Sequence, residues 1–233
     1  MELFSGKVAR IFLNISCINA RKKGFFITVL ALLPLSSASA FELRLSVKDE
    51  QQQAVSGVVA EVAGRLNNSV PAEQTIIDQV NRRFVPMVTL VQAGETISFP
   101  NSDNVRHHVY SFSEIRQFST PLYANEQVEP VLFDKPGVAV LGCNIHDSMV
   151  AYVYVSQWQD RAISDENGLL VLSGLSEKPQ TFHVWHPWLQ TPDNKLEIDL
   201  STASDGVAIE IFLPVKSPDT QFGFRALVPG ASR

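Results

Sequence analysis

The sequence predicts an all-β protein built from β-sandwiches. Short apolar runs, rich in β-branched and aromatic residues, are separated by turn-forming Gly, Pro, Asn and Asp residues at spacings of about eight to twelve positions. Residues 41–48 alternate strictly between apolar and polar side chains, the period-two pattern of a half-buried strand. No stretch shows a sustained helical period, so we expect a sandwich or barrel rather than a helical fold.

Residues 1–40 are expected to be a secretory signal peptide. Arg21-Lys22-Lys23 precede an apolar run at 25–35, and small residues up to Ala40 form an A-x-A cleavage site. This apolar run is shorter than the roughly 20 residues that a membrane-spanning helix requires. We therefore expect export to the periplasm, cleavage after Ala40 and no membrane span in the mature chain.

The mature protein is expected to be strongly acidic. Five basic residues and one acidic residue leave with the leader, which moves the formal charge from −5 to −9. Such a protein is not expected to bind nucleic acid. Its charge would steer a basic redox partner towards it, or would only keep the protein soluble.

The two flanks of the mature chain are predicted to be β-structure. Residues 41–48 and 55–62 are expected to pair as a hairpin, and 64–72 to form a polar linker. Further strands are predicted near the C-terminus at 169–172, 181–185, 196–200 and 207–213. We expect residues 41–64 and 157–214 to form one small additional sandwich, or extra strands of a single enlarged sandwich, followed by an irregular tail at 215–233.

The middle of the chain, residues 73–156, is predicted to be a separate β-sandwich domain. The predicted strands are 87–91, 96–99, 108–112, 128–133, 138–143 and 150–155. This domain contains Cys143, the only cysteine outside the leader, so the mature chain can form no internal disulfide. A lone cysteine in an oxidising compartment is expected to be buried as a small apolar residue or bound to a metal.

The spacing of Cys143, His146 and Met149, C-x2-H-x2-M, favours a metal site. Thiolate, imidazole and thioether ligands suit copper, and two His and one Cys with a weak axial Met form an electron-transfer copper site. His107 or His108 can supply the second imidazole. Neighbouring side chains on an extended segment face opposite ways, so only one of the two is expected to enter the site.

These residues resemble the cupredoxins. The resemblance is carried by Asn101-Ser102-Asp103 with His107, and by Pro136-Gly137 leading into the C-x2-H-x2-M loop, whose spacing is most similar to amicyanin, within the group of amicyanin-like and plastocyanin-like blue copper proteins. It covers roughly residues 75–156 and extends to the periplasmic cupredoxin-like proteins often labelled methylamine-utilisation proteins. The flanks are similar to the regulatory-like β-domains found beside carboxypeptidases.

The resemblance implies a Greek-key sandwich with one type 1 copper held by His107, Cys143, His146 and Met149. Alignment places His107 as the ligand and His108 where the family has an asparagine that braces the cysteine loop. Asn101 and Asp103 are expected to be turn residues rather than ligands. Asp147 would make the docking surface polar and favour a cationic partner, or would itself bind metal.

A second histidine pair, His183 and His186, suggests either a second metal site or a strand edge rich in aromatic residues. Positions three apart on a strand face opposite ways, which favours the second interpretation. Phe182, Trp185 and Trp188 are expected in the core or in a contact between domains.

The predicted function is electron transfer without catalytic turnover, with a redox partner protein such as a c-type cytochrome or a dehydrogenase. A copper oxidase or nitrite reductase would require more histidines than the five present. A Cys-His hydrolase is not favoured because both side chains lie on one tight loop. The alternative is non-redox copper binding or delivery, or an interaction module of the cell envelope.

Overall fold

The computed structural model describes residues 41–67, 74–201 and 208–216. Its regular secondary structure consists almost entirely of β-strands. Within those ranges there are 17 strands and a single 3-10 turn, Pro192–Asn194. The strands are β1 (Phe41–Asp49), β2 (Val59–Glu61), β3 (Thr75–Ile76), β4 (Asp78–Val80), β5 (Arg83–Val85), β6 (Val88–Gln92), β7 (Glu95–Ser98), β8 (Tyr110–Ser111), β9 (Phe118–Ser119), β10 (Val131–Phe133), β11 (Gly137–Cys143), β12 (His146–Ser156), β13 (Arg161–Ile163), β14 (Leu169–Leu175), β15 (Thr181–Trp185), β16 (Lys195–Asp199) and β17 (Ala208–Leu213).

The central sandwich is made of two sheets. Five strands pair in the order β6-β12-β11-β8-β9, and three pair in the order β10-β7-β3. Their facing side chains form one buried cluster, to which Ile97 and Phe133 contribute from the smaller sheet and Leu141 and Val153 from the larger one. The prediction of an all-β sandwich is therefore confirmed.

The flanks enclose a second core. Strands β14-β1-β17 form one sheet and β13-β2-β15-β16 form the other. Leu43 and Leu45 face Ala60 and Phe182 across this core, so the N-terminal and C-terminal segments build it together. Both sandwiches fall within one compact unit of the chain. The boundaries 41–64, 73–156 and 157–214 stay a prediction.

The predicted hairpin between the first two strands is wrong. Strand β1 pairs antiparallel with β14 and parallel with β17, whereas β2 pairs with β13 and β15. Backbone pairing between the two N-terminal segments is confined to the turn, where Lys48 and Ala54 form an isolated bridge and Val55 donates to the carbonyl of Val47. The physical reason is that both segments bury apolar side chains in the same core from opposite sheets, which a hairpin within one sheet would prevent.

A third cluster joins the two sandwiches. Val59 and Trp185, from the flanking sheet, pack against Val88, Tyr152 and Tyr154 on the outer face of the five-stranded sheet. The Trp185 ring lies 5.2 Å from that of Tyr154. Trp185 is predicted to lie in the core or in a contact between domains. The structure places it in the contact between the two sandwiches.

A buried carboxylate reinforces this contact. Glu61 is only 8% exposed and accepts hydrogen bonds from the hydroxyls of Tyr154 at 2.7 Å and Ser156 at 2.8 Å. Burial and the charge of Glu61 raise the pKa of Tyr154, so its hydroxyl stays a donor. The stability of a buried carboxylate depends strongly on the hydrogen bonds from both of its donors.

We expect Tyr154→Phe to lower the free energy of unfolding by about 1–3 kcal/mol, because Glu61 would lose a buried donor. Urea denaturation measures the loss. The double variant Tyr154→Phe/Glu61→Gln should lose less than the sum of the single variants, since an amide tolerates one missing partner better than a carboxylate does. Additive losses would show that the two side chains are not coupled.

Several predictions concern residues that the structure does not describe. They are the expected signal peptide, the C-terminal tail beyond residue 216, and residues 68–72 of the expected linker. Among the residues that the structure describes, no helix is long and apolar enough to cross a membrane.

Candidate metal centre

The predicted C-x2-H-x2-M loop is a tight connection between two paired strands. Cys143 is the last residue of β11 and His146 the first of β12, and these two residues pair across the turn. The register shifts between Gly142 and Cys143, which marks an irregularity in the ladder. Such irregularities re-aim side chains at sheet edges. Cys143 and His146 are thereby brought to the same end of the central sandwich.

His107 reaches this end from a loop that is fixed at several points. Its backbone exchanges two hydrogen bonds with Tyr123, of 2.8 and 2.9 Å. The Asn101 side chain donates to the carbonyls of Val105 and Tyr123 and accepts the N–H of Asp103. Asn101 is thus the turn residue that the sequence predicts, and the loop before His107 is held by protein contacts.

Three ligand-type atoms converge between these segments. The Nδ1 atoms of His107 and His146 lie 3.2 Å apart, and the Cys143 Sγ lies 3.9 Å from the first and 3.8 Å from the second. A point equidistant from all three would be about 2.1 Å from each, within the roughly 2.0–2.3 Å of nitrogen and thiolate bonds to a first-row metal ion. In the described part of the chain, this is the group of such side chains that could hold a metal ion.

The predicted axial ligand is buried beside the group. Met149 is 0% exposed, as are Cys143 and His107, and it belongs to the same core cluster as Cys143. His146 is half-buried, so its ring is the part of the group nearest to solvent. The ligand roles of the four residues stay a prediction at this point, while the arrangement of the three converging atoms fits a soft thiophilic metal.

Asp103 has a role that the sequence prediction missed. Its Oδ2 lies 2.7 Å from Nε2 of His107, and the carboxylate also accepts the N–H groups of Asn81 and Arg82. A proton on Nε2 that is donated to Asp103 leaves the lone pair of Nδ1 free to face the candidate centre. The spacing Asp-x3-His could have predicted this contact, but Asp103 was interpreted only as a turn residue.

The surroundings of the candidate centre lower the pKa of the His146 imidazole and that of the Asp103 carboxyl group. Burial lowers the pKa of His146, and the charges of His107 and Arg82 lower it further. Burial alone would raise the pKa of Asp103, but the hydrogen bonds from Arg82, His107 and Asn81 outweigh it and hold this pKa below its ordinary value. Neutral imidazole and ionised carboxylate are the forms that metal binding requires.

His108 lies outside the converging group. Its Nε2 lies 3.0 Å from Oγ of Ser119, a residue of β9, and burial lowers its pKa. That hydrogen bond goes to a neighbouring strand instead of to the loop that carries Cys143, so the expected bracing role is not the one this bond provides. Asp147 is exposed and is not a member of the group.

The two histidines of the second pair, His183 and His186, lie in different surroundings. His183 is half-exposed on β15 and lies 3.2 Å from Glu197, whereas His186 is 1% exposed. Nδ1 of His186 accepts the N–H of Trp188, and burial lowers the pKa of His186 to about 4. Phe182 lies in the flanking core, and the ring of Trp188 lies 5.4 Å from that of His186.

Comparisons with known proteins return copper proteins as partial structural matches. No protein-family model and no curated protein matches the chain. A copper-containing nitrite reductase from Thermus scotoductus SA-01 is 24% identical over 41% of this chain and 25% of its own, with a TM-score of 0.35. This chain therefore matches about a quarter of that enzyme's length.

Two smaller proteins match over almost their whole length. A purple cupredoxin from Nitrosopumilus maritimus is 26% identical over 36% of this chain and 98% of its own, with a TM-score of 0.32. Amicyanin from Paracoccus versutus is 19% identical over 42% of this chain and 97% of its own, with a TM-score of 0.33.

Asp103→Asn is expected to weaken Cu(II) binding about 10- to 100-fold, the usual effect of losing an outer partner of a ligating histidine. A competitive chelator titration measures the affinity. Asp78→Asn is the matched control, because Asp78 accepts hydrogen bonds from Ser102 in the same region and has no bond to His107. Equal losses in both variants would assign the effect to general charge removal.

His186 is expected to make the metal-free protein less stable in acid. Its pKa in the folded protein, about 4, lies below the ordinary 6.5, so the unfolded chain takes up a proton that the folded protein does not. The stabilisation is complete above pH 6.5 and is lost as the pH falls towards 4, by about 3 kcal/mol in total.

Chemical denaturation at pH 7 and pH 4.5 measures this loss. His186→Gln should flatten the pH dependence, whereas His183→Gln, at the half-exposed position on β15 three residues earlier, should leave it unchanged. An equal effect of both substitutions would contradict the assignment to burial.

Proposed function

We propose that this protein is a periplasmic type 1 copper protein that transfers electrons. One copper ion would be held by Nδ1 of His107, Nδ1 of His146 and Sγ of Cys143, with Met149 as a weak axial ligand. The observation that carries the proposal is the convergence of these three atoms around a point about 2.1 Å from each. Bound copper would supply a Cu(I)/Cu(II) couple.

The burial of the site supports electron transfer over turnover of a substrate. A catalytic metal site keeps an open coordination position for water or substrate. Here His107, Cys143 and Met149 are fully buried, and only the ring of His146 is half-exposed. An electron can pass through an imidazole edge that is in contact with a partner, whereas a substrate would have no free position on the metal.

The same burial argues against copper delivery as the main function. A delivery protein must release its ion to a partner, and three of the four proposed ligands have no exposed surface. The contacts of Asp103 and Tyr123 further fix His107 in place. A site held at one geometry keeps the rearrangement between the two oxidation states small, which favours a carrier.

The predicted leader supports a periplasmic location for the mature protein. We propose a redox partner protein there, such as a c-type cytochrome or a dehydrogenase, that would exchange electrons with it. The additional sandwich covers the outer face of the five-stranded sheet. The end that carries His146 would then be the surface for electron exchange.

Loading the mature protein, residues 41–233, with one equivalent of Cu(II) is expected to produce an intense thiolate-to-copper absorption band. The band should bleach reversibly with reductant and vanish in Cys143→Ser, because it requires the Cu–S bond. Met149→Leu should keep the band and raise the reduction potential. Visible and EPR spectroscopy with voltammetry measure these outcomes, and a weakly coloured or non-stoichiometric complex would contradict a type 1 site.

A further inference from the structure

The turn between β4 and β5 contains an unusual residue. Val80 and Arg83 pair across the turn, so the loop between them consists of Asn81 and Arg82. Both loop residues have a left-handed backbone, with φ of 52° and 56°. A two-residue hairpin loop of this kind favours Gly at its second position, because a side chain there is strained. An arginine in this position points to a function for its side chain.

The turn is attached to the candidate metal centre. Oδ2 of Asp103 lies 2.8 Å from the backbone nitrogen of Arg82 and 2.7 Å from Nε2 of His107, and its Oδ1 accepts the N–H of Asn81. One carboxylate oxygen therefore separates Arg82 from a proposed ligand.

The side chain of Arg82 is available to a partner. It is exposed, and it forms no ion pair with any residue that the structure describes. It lines an open recess of about 270 Å³ whose other walls are Asn81, Asp103, Asn104 and Val105. The carboxylate of Asp103 is already occupied by three donors, so the guanidinium provides the free charge of this recess.

We propose that Arg82 is a docking cation that receives a surface carboxylate of the redox partner next to the candidate metal centre, to which Asp103 connects it. This inference rests on the proposed electron-transfer function. The expected formal charge of −9 for the mature chain disfavours the approach of an anionic partner overall. A free cation next to the site would attract an anionic group of the partner locally and orient it.

Asp147 opposes this effect. It is exposed and adjacent to His146, and the sequence prediction assigned it the attraction of a cationic partner. Asp147 follows His146 in the sequence, and Arg82 is connected to His107 through Asp103. The two charges are opposite, so their substitutions should change the electron-transfer rate in opposite directions.

Small redox probes of opposite charge test the proposal. Reduced, copper-loaded protein is mixed with ferricyanide: one electron passes from Cu(I) to Fe(III), giving Cu(II) and ferrocyanide, and no bond forms or breaks. Arg82→Gln should slow this reaction about three- to tenfold at low ionic strength, and the difference should disappear in high salt. Arg82→Lys should restore most of the rate, and Asp147→Asn should increase it.

Hexaammineruthenium(II), which reduces Cu(II) by one electron, provides the opposite charge. Arg82→Gln should accelerate that reaction. Arg44→Gln removes the same unit charge from β1, in the other sandwich, and should change neither rate appreciably. If the ratio of the two rates is the same in Arg82→Gln and the unmodified protein, the docking role of Arg82 is refuted.

A measurement without copper separates this inference from the proposed function. Metal-free protein is titrated with redox-inert hexacyanocobaltate(III), and amide NMR shifts locate the bound anion. Shifts at residues 81–83 that weaken in Arg82→Gln support docking even if the copper site fails its own test. A blue, redox-active protein with no such shifts would keep its electron-transfer function and lose the docking role. Arg82→Gly, which relieves the strained backbone, should fold well and bind the anion no better than Arg82→Gln.

Discussion

The structure depends on strand β12 being buried on both faces. Met149, Ala151 and Val153 point into the core that contains Cys143, while Tyr152 and Tyr154 pack against the flanking sheet. A slip by one residue would exchange these two sets of side chains and separate Glu61 from its hydroxyl donors. The register of β12 is therefore fixed from both sides, and with it the position of His146 opposite Cys143.

The candidate centre combines this rigid strand with a braced loop. His107 is held through its backbone by Tyr123 and through its ring by Asp103, and Asp103 is in turn held by the β4–β5 turn. Each converging atom thus has its position set by contacts within the protein. A site prepared in this way has little to rearrange when the charge of a bound ion changes, which is the requirement for fast electron exchange.

Local sequence patterns correctly predicted the features that are determined by neighbouring residues. The period-two alternation at Phe41 to Lys48 gave a correct strand, and the C-x2-H spacing gave two of the three converging side chains, because the tight turn between β11 and β12 fixes their separation. Pairing partners were harder to predict. The predicted hairpin of the first two strands failed because each segment finds its partners 100 or more residues away, through packing that no local pattern encodes. The β4–β5 turn was missed since Asn-Arg lacks the Gly that signals such a loop.

The position of β1 in its sheet has a consequence for how the chain folds. Its partners β14 and β17 come late in the sequence, and the Lys48–Glu210 ion pair closes a separation of 162 residues. The segment between them contains a core of its own, whose main pairing, β11 with β12, is a local hairpin. Local contacts form faster than distant ones, because less chain entropy is lost before they form. The central sandwich would thus assemble first and bring the two flanks together, so that the outer sheets form only after it.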